Sequence, residues 1–278
     1  MKYKIVVDSC CDLTAEMKKC MNVEIVPLTL RLQDKDYIDD ESLDVTQYVK
    51  DMNRCETPPK TSCPSPMDFI NKYKGEGSVF VVTLSSKLSG TYQSAVMAKD
   101  IFMEEVGGKF IHVFDSLSAS VGETLACKKI SELADSGMNE AEIVEKLTNY
   151  ISSMRTFFLL ESLEHLAKAG RLNPIIAKIA SFLEIKPIMG SNGEGNIKLF
   201  EKFRGYKRAF SKFVDIIGIE ATAFEDKVLG IAHCNCPERA LQLKEEISKK
   251  YNFKDIIIVE TAGVSSTYSD DGGLIIAF

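Results

Sequence analysis

The stretch Ser78–Ala95, SVFVVTLSSKLSGTYQSA, constrains the fold more than any other part of this chain. Val79, Phe80, Val81 and Val82 form an apolar run without polar alternation, which suits a strand covered on both faces. Leu84 to Gly90 is a hydroxyl-rich turn containing Ser85, Ser86 and Ser89. From Thr91 the period becomes helical: Tyr92, Ala95, Val96, Phe102, Met103 and Val106 share one face, interrupted only by Lys99. A strand, a polar loop and a helix in that order put backbone N–H groups and hydroxyls at the carboxyl end of a sheet. Open α/β folds place ligands there, and helix N-termini favour anions. The expectation is an anion site built from neutral donors.

The flanking segments extend the pattern. Lys4–Val7 reads as a strand ending at Asp8-Ser9, followed by a short helix that Thr14 can cap. Leu28, Leu30 and Leu32 alternate with Thr29 and Arg31 as in a half-exposed strand. Val45, Tyr48, Val49 and Met52 have helical spacing. Residues 57–66 hold four of the eight prolines and read as a stiff extended segment. Ser65-Pro66-Met67-Asp68 then has the signature of a capped helix start. Phe110–Phe114 is a further strand ending in Asp115-Ser116, and two helices follow, separated at Gly137–Asn139. Such alternation predicts a mostly parallel sheet with helices on both faces.

Beyond Ser152–Arg155 the order of elements changes, which predicts two domains, 1–153 and 154–278. The second half reads as a strand at Thr156–Leu160, a helix over Glu161–Gly170 and a helix over Pro174–Phe182. Strands at Ile185–Met189 and Ile197–Lys202 flank Gly190–Gly195, a hairpin signal. A helix at Tyr206–Ile217, a strand at Val228–His233, a helix at Glu238–Tyr251 and strands at Ile256–Val259 and Leu274–Phe278 complete a mixed sheet with helices.

Composition narrows the function. A chain of 278 residues is long enough for two cores, and its net charge of −6 argues against general nucleic-acid binding. The N-terminal apolar run is too short for a signal peptide and no segment approaches membrane-spanning length, so a cytoplasmic protein is expected. The eight cysteines form no disulfide framework, and Cys234-Asn-Cys236 has one spacer where zinc motifs use two or more. His233 lies beside that pair, but reduced, partly buried thiols are the expectation, with no metal and no cofactor. Gly193-x-Gly195 lacks the third glycine of a dinucleotide fingerprint. Gly190-x4-Gly195 is followed by Asn-Ile rather than the Lys-Ser/Thr of a phosphate loop.

Asp8-Ser9 and Asp115-Ser116 are read first as turn and cap residues. Lys198, Lys202, Arg204, Lys207, Arg208 and Lys212 concentrate positive charge: a solvated face or a dock for an anionic partner. Ser89 lacks the glycine-flanked elbow of a hydrolase nucleophile. A triad with His112, His165 or His233 needs no proximity in sequence, so the residues leave open a transferase or hydrolase using Ser89. Thr61-Ser62 and Ser89-Gly90-Thr91 are the sharper pair, each in a rigid polar loop beside a helix start.

Taken in order, Thr-Ser-Cys-Pro-Ser-Pro (61–66), Leu-Ser-Ser-Lys-Leu-Ser-Gly-Thr-Tyr-Gln-Ser-Ala (84–95), Asp-Ser (8–9 and 115–116), Ala-Gly-Arg (169–171), Ile-Lys-Pro-Ile (185–188) and Lys-Phe-Arg-Gly-Tyr-Lys-Arg-Ala (202–209) resemble the DegV family. The resemblance implies a two-domain α/β protein, not itself catalytic. It would bind a long-chain fatty acid in an apolar tunnel between helices and present it to a separate fatty acid kinase subunit, the acyl phosphate feeding phospholipid synthesis. It implies Thr61 and Ser89 as carboxylate ligands, with Ser62 close by, and kinase docking around Arg171 and Arg204. Tyr268 stands where the family usually has a histidine near the headgroup, with Asp270 and Asp271 beside it. A phenol donates one hydrogen bond but does not become cationic.

Overall fold

The apolar run Val79–Val82 lies in the middle of a four-stranded parallel sheet, and its alternation decides which helices cover which face. The computed structural model describes residues 2–173, 175–176, 178 and 184–278. The helix expected over Pro174–Phe182 falls mostly outside the described residues. The chain begins with β1 (Tyr3–Asp8), α1 (Ala15–Cys20), β2 (Val23–Val26), β3 (Thr29–Leu32), β4 (Lys35–Ile38) and α2 (Val45–Arg54). Then come β5 (Lys60–Ser62), α3 (Pro66–Tyr73), β6 (Ser78–Thr83), α4 (Thr91–Glu105), β7 (Ile111–Asp115), α5 (Val121–Asp135) and α6 (Glu140–Ser153). They are followed by β8 (Thr156–Leu159), α7 (Glu164–Lys168), β9 (Ile185–Ser191), β10 (Ile197–Arg204) and α8 (Tyr206–Glu220). The last elements are β11 (Val228–His233), α9 (Pro237–Lys250), β12 (Asp255–Glu260), α10 (Gly263–Ser269) and β13 (Leu274–Ala277).

The parallel sheet has the order β2-β1-β6-β7. Phe80 and Val82, with Ile5 and Val7, pack on Ala126, Ile130 and Leu147 of α5 and α6. Val79 and Val81, with Val6, pack on Phe69 and Tyr73 of α3 and on Ala95 and Phe102 of α4. Successive residues of one strand therefore serve opposite faces, which is why the run contains no polar residue. A small antiparallel sheet, β4-β3-β5, sits beside it, and the mixed sheet runs β10-β9-β8-β13-β11-β12. The α/β class is as expected, with the parallel sheet before Met154 and the mixed sheet after it.

Helix α5 joins the two large sheets. Ala126, Cys127 and Ile130 face the parallel sheet, while Val121 and Leu125 face Ala232 and Ala277 of the mixed one. Every residue from Val121 to Cys127 is buried, as a helix must be when both sides meet a sheet. The approach depends on Gly230 in β11, where an added Cβ would come within 2.3 Å of Val121 Cγ2. The opposite face of the mixed sheet is covered by α8 and α9 through Phe213, Ile217, Leu243 and Ile247.

Local signals account for most helix starts. Thr14 and Asp44 accept the N3 backbone N–H of α1 and α2, and Ser65 with Asp68 forms the expected capping box ahead of Pro66. Two expectations need correction. The buried stripe of α4 is Thr91, Ala95, Ala98 and Phe102, whereas Met103 and Val106 are exposed; small residues face inward because α3 packs close. The helix expected over Glu161–Gly170 is shorter, Glu164–Lys168. Glu161 pairs with both Lys186 and Arg239 at 2.5 Å, which holds that segment against the mixed sheet, and Ser162 accepts the Glu164 N–H.

Candidate functional site

Three loops leave the carboxyl ends of β1, β6 and β7 on the same side of the parallel sheet, where ligand crevices form in open α/β folds. Two aspartates lock them together. Asp8 accepts the Cys10 N–H at 3.0 Å and the Leu84 N–H at 2.8 Å; burial pushes its carboxyl up to about 7. Asp115 accepts the N–H groups of Ser86 and Leu117, each at 3.1 Å. Both therefore act as turn residues, as the Asp-Ser motifs suggest. Leu117 and Ser120 sit in the left-handed region, with φ of 51° and 57°, an arrangement common where a loop shapes a site.

The mixed sheet closes over these loops. Ser85 Oγ donates to the Gly195 carbonyl at 2.8 Å and Ser191 Oγ donates to the Leu117 carbonyl at 3.1 Å. Ser118 and Thr156 hydroxyls lie 2.7 Å apart. Between loops and sheet is a cavity whose empty space is about 870 Å³, part of it open to solvent. Apolar side chains dominate its wall, among them Leu84, Leu88, Phe158, Leu160, Leu166 and Ile275. Loops and a sheet face form much of the wall, and the two short helices α7 and α10 contribute Leu166, Val264, Ser265, Tyr268 and Ser269.

One end of the cavity is polar. Thr61 in β5 and Tyr268 in α10 are joined by a 2.8 Å hydrogen bond between their hydroxyls. Helix α10 is held there by Asp39, which accepts the N–H groups of Gly263 and Val264 at 2.8 and 2.9 Å, and by the Tyr48–Thr267 hydroxyl contact at 2.9 Å. The Arg171 guanidinium lies 5.7 Å from the Tyr268 ring centroid. Its hydrogen bonds go to the carbonyls of Leu88 and Ala169, and among the described residues no carboxylate pairs with it. Ser89, next to Leu88, also lines the cavity, its hydroxyl 2.8 Å from that of Thr91. Ser269 adds a buried hydroxyl without a partner among the described residues.

The structure thus brings together Thr61, Ser89 and Tyr268, and adds Arg171 to the cavity wall rather than to an outer face. Ser62 does not join them. It alternates with Thr61 along β5 and is exposed. Arg204 is remote from the cavity, exposed on β10 and paired with Glu184 at 2.5 Å. Ser118, Ser120, Thr156, Ser191, Asn196 and Ser269 line the cavity without having been singled out. The Ser116-Leu-Ser-Ala-Ser120 run after β7, a hydroxyl-rich echo of the run after β6, was the available signal for two of them.

Among the described residues the Ser89 hydroxyl bonds only within its own loop, to the Thr91 hydroxyl and N–H. No histidine bonds a serine hydroxyl among the described residues: the His112 and Phe114 rings pack at a tilt with centroids 4.4 Å apart, and His165 Nδ1 lies 3.9 Å from Asp270 Oδ2. His233, Cys234 and Cys236 do not converge as a ligand set. Among the described residues, Asp8, Cys10 and Glu123 alone bring three such ligand atoms within 4.8 Å of one another.

Fold and cavity define an α/β protein built around an apolar chamber with a hydroxyl- and guanidinium-lined mouth. A family model described as "Uncharacterised protein, DegV family" matches residues 2–278. The chain belongs to the DegV family. A DegV domain-containing protein of Streptococcus gordonii is 34% identical over 281 residues, covering 100% of this chain and 99% of the relative. The fold is also that of a DegV family protein of Ruminococcus gnavus whose crystal structure was refined with vaccenic acid. That protein is 41% identical, with a TM-score of 0.95 and 99% of each chain covered. The Fatty Acid Kinase (Fak) B3 protein of Streptococcus pneumoniae, crystallised loaded with linoleic acid, is 32% identical with a TM-score of 0.92. The match covers 100% of this chain and 99% of that one.

Proposed function

We propose that this chain binds one long-chain fatty acid, with the acyl chain in the cavity and the carboxylate at its polar end. Residues 1–153 would supply the hydroxyl-bearing loops and residues 154–278 would close the chamber. The observation that carries this reading is the Arg171 guanidinium, without a carboxylate partner among the described residues, beside the Thr61–Tyr268 pair and Ser89 in a cavity of predominantly apolar wall. A half-buried cation with no carboxylate partner among the described residues favours an anionic ligand, and an apolar wall favours a long hydrocarbon.

Magnitudes agree with that division of labour. Burying about 15 methylenes at ~0.8 kcal/mol each gives a gross gain near ~12 kcal/mol. Association and ordering costs reduce this to an affinity of ordinary strength. Each hydrogen bond to the carboxylate contributes about 1.5–3 kcal/mol. The tail sets strength and the headgroup sets orientation.

The relatives crystallised with fatty acids support the ligand class, and the kinase name carried by one of them supports presentation to a separate kinase subunit for acyl phosphate formation. The exposed basic residues Lys198, Lys202, Arg204, Lys207 and Arg208 form a surface suited to docking such a partner. Organic extraction of protein purified from bacterial cells, followed by mass spectrometry, is expected to recover about one equivalent of long-chain fatty acid. Recovery of none, together with no uptake of added fatty acid by the extracted protein, would refute the reading. Covalent capture of Ser89 by a serine-directed probe, or turnover without a kinase, would instead favour an enzyme.

A further inference from the structure

Behind the cavity wall, Asp8, Asp12, Asp39 and Glu123 are buried close to one another. Three of them are satisfied. Asp8 accepts from Cys10 and Leu84 N–H, Asp12 from the Ser120 hydroxyl and the Ala262 N–H, and Asp39 from Gly263 and Val264 N–H. Glu123 is different. It is 0% exposed, and neither carboxyl oxygen has a hydrogen bond of good geometry among the described residues, the Cys10 thiol being its one nearby donor. A buried polar group left without a partner costs about 1–3 kcal/mol, and more when charged. Among the described residues no positive charge relieves it: burial and then the negative charge of Asp8 push its carboxyl well above the usual range.

What Glu123 does face is a ligand set. One carboxyl oxygen of Glu123, one of Asp8 and the Cys10 Sγ lie within 4.8 Å of one another. Tetrahedral zinc sites, with Zn–S near 2.3 Å and Zn–O near 2.0–2.2 Å, space their donors roughly 3.3–3.8 Å apart. Closing that difference requires the Glu123 carboxyl to turn toward Asp8 and Cys10. Each Asp8 oxygen keeps a lone pair beyond the one taken by a backbone N–H, and those N–H bonds fix the carboxylate as outer-shell contacts fix metal ligands. Glu123 lies in the first turn of α5, at the positive end of the helix dipole. Cys10 lines the cavity, which supplies an entry path and an open coordination position.

We propose that Asp8, Cys10 and Glu123 form a site for a single divalent cation of the zinc class. A thiolate with two carboxylates suits zinc, whereas magnesium and calcium take all-oxygen shells with more ligands. Binding transfers the Cys10 and Glu123 protons to solvent, with any proton Asp8 holds at its raised pKa of about 7, and the cation's two charges offset two of the three negative donors. The site shares Cys10 with the wall of the cavity that Thr61 and Arg171 line, and its test reads the metal rather than the lipid.

The test uses the full chain carrying Cys20→Ala and Cys63→Ala, which removes the exposed thiols. After chelator treatment and dialysis, the protein is titrated with cobalt(II) and then with zinc(II). The expected result is one cobalt per chain with a thiolate-to-cobalt charge-transfer band, displaced stoichiometrically by zinc. Glu123→Gln and Cys10→Ser are each expected to weaken uptake at least about tenfold, as loss of a ligand does. Circular dichroism checks that both variants fold. Absence of the band in the parent protein would overturn the proposal, and so would equal uptake by folded Glu123→Gln or folded Cys10→Ser.

Discussion

The Tyr268 phenol and the Thr61 hydroxyl lie 2.8 Å apart although 207 residues separate them. Between them the two groups hold two protons, of which their mutual bond uses one. The other is free to be donated into the cavity, so the pair acts as one donor whose strength depends on both members.

That sharing makes the effects of Thr61→Val and Tyr268→Phe non-additive. Each substitution alone breaks the pair, so the double variant is expected to lose less fatty acid affinity than the two single losses added together. The coupling expected is about 0.5–1.5 kcal/mol, the scale of a hydrogen bond within a network. Displacement of a fluorescent fatty acid from all four proteins measures it. Strict additivity would mean that the two hydroxyls act separately on the ligand.

Arg171 contributes differently, through charge. Its guanidinium stacks on Tyr268 and is held by two carbonyls, with no carboxylate partner among the described residues. Arg171→Gln is expected to weaken binding of a fatty acid by about 1.5–3 kcal/mol, roughly tenfold to a hundredfold. The methyl ester of the same acid carries no charge, and its affinity is expected to change little. Equal losses for acid and ester would show that the arginine shapes the pocket without reading the headgroup.

Stability should respond to His233. Its imidazole is buried, and Nδ1 has no partner among the described residues. Burial lowers its pKa below the usual value, outweighing the opposing charges of Glu260 and Glu238. The unfolded chain therefore takes up the proton at higher pH than the folded chain does. The stability this contributes is present above the unfolded pKa, near 6.5, and is lost as pH falls through the lower folded value. Between about pH 7.5 and about pH 5.5, the urea midpoint of the wild-type chain is expected to fall further than that of His233→Gln. Parallel profiles for the two proteins would exclude His233 as the source.

How much of this was legible in the sequence depends on how local each cause is. The β6 strand announced itself because both of its faces are covered, and the α3 start because its capping box lies within four residues. Helix α10 gave no such signal. Gly263–Ser269 is small and hydroxylated, without apolar periodicity, and what holds it is Asp39, over two hundred residues away. The strands β2 and β4 are edges with little burial, so their patterns are weak. The residues themselves offer Thr61-Ser62 as a pair, the family resemblance favours Thr61, and the pleat of β5 turns Thr61 inward and leaves Ser62 exposed. Arg171 reaches the cavity through the Leu88 carbonyl, 83 residues away, a contact no local spacing encodes.

Closure of the cavity rests on a glycine. Gly195, in the turn between β9 and β10, has a φ of 87°, and a Cβ there would stand 2.2 Å from Ser85 Oγ. Ser85 donates to the Gly195 carbonyl at 2.8 Å, so the same contact that forbids a side chain ties the hairpin to the loop after β6. Gly195→Ala faces both penalties: left-handed backbone for an L-residue, of order 1–3 kcal/mol, and a clash relieved only by moving the hairpin away. The variant is therefore expected to be less stable by a few kcal/mol at most and to hold its ligand less tightly, through faster release. Ser85→Ala removes the clash partner, so the combination with Gly195→Ala should regain part of the lost stability while leaving the hairpin untied. Stopped-flow release of a fluorescent fatty acid separates the two effects. Wild-type release rates in both variants would mean that the hairpin takes no part in retaining the ligand.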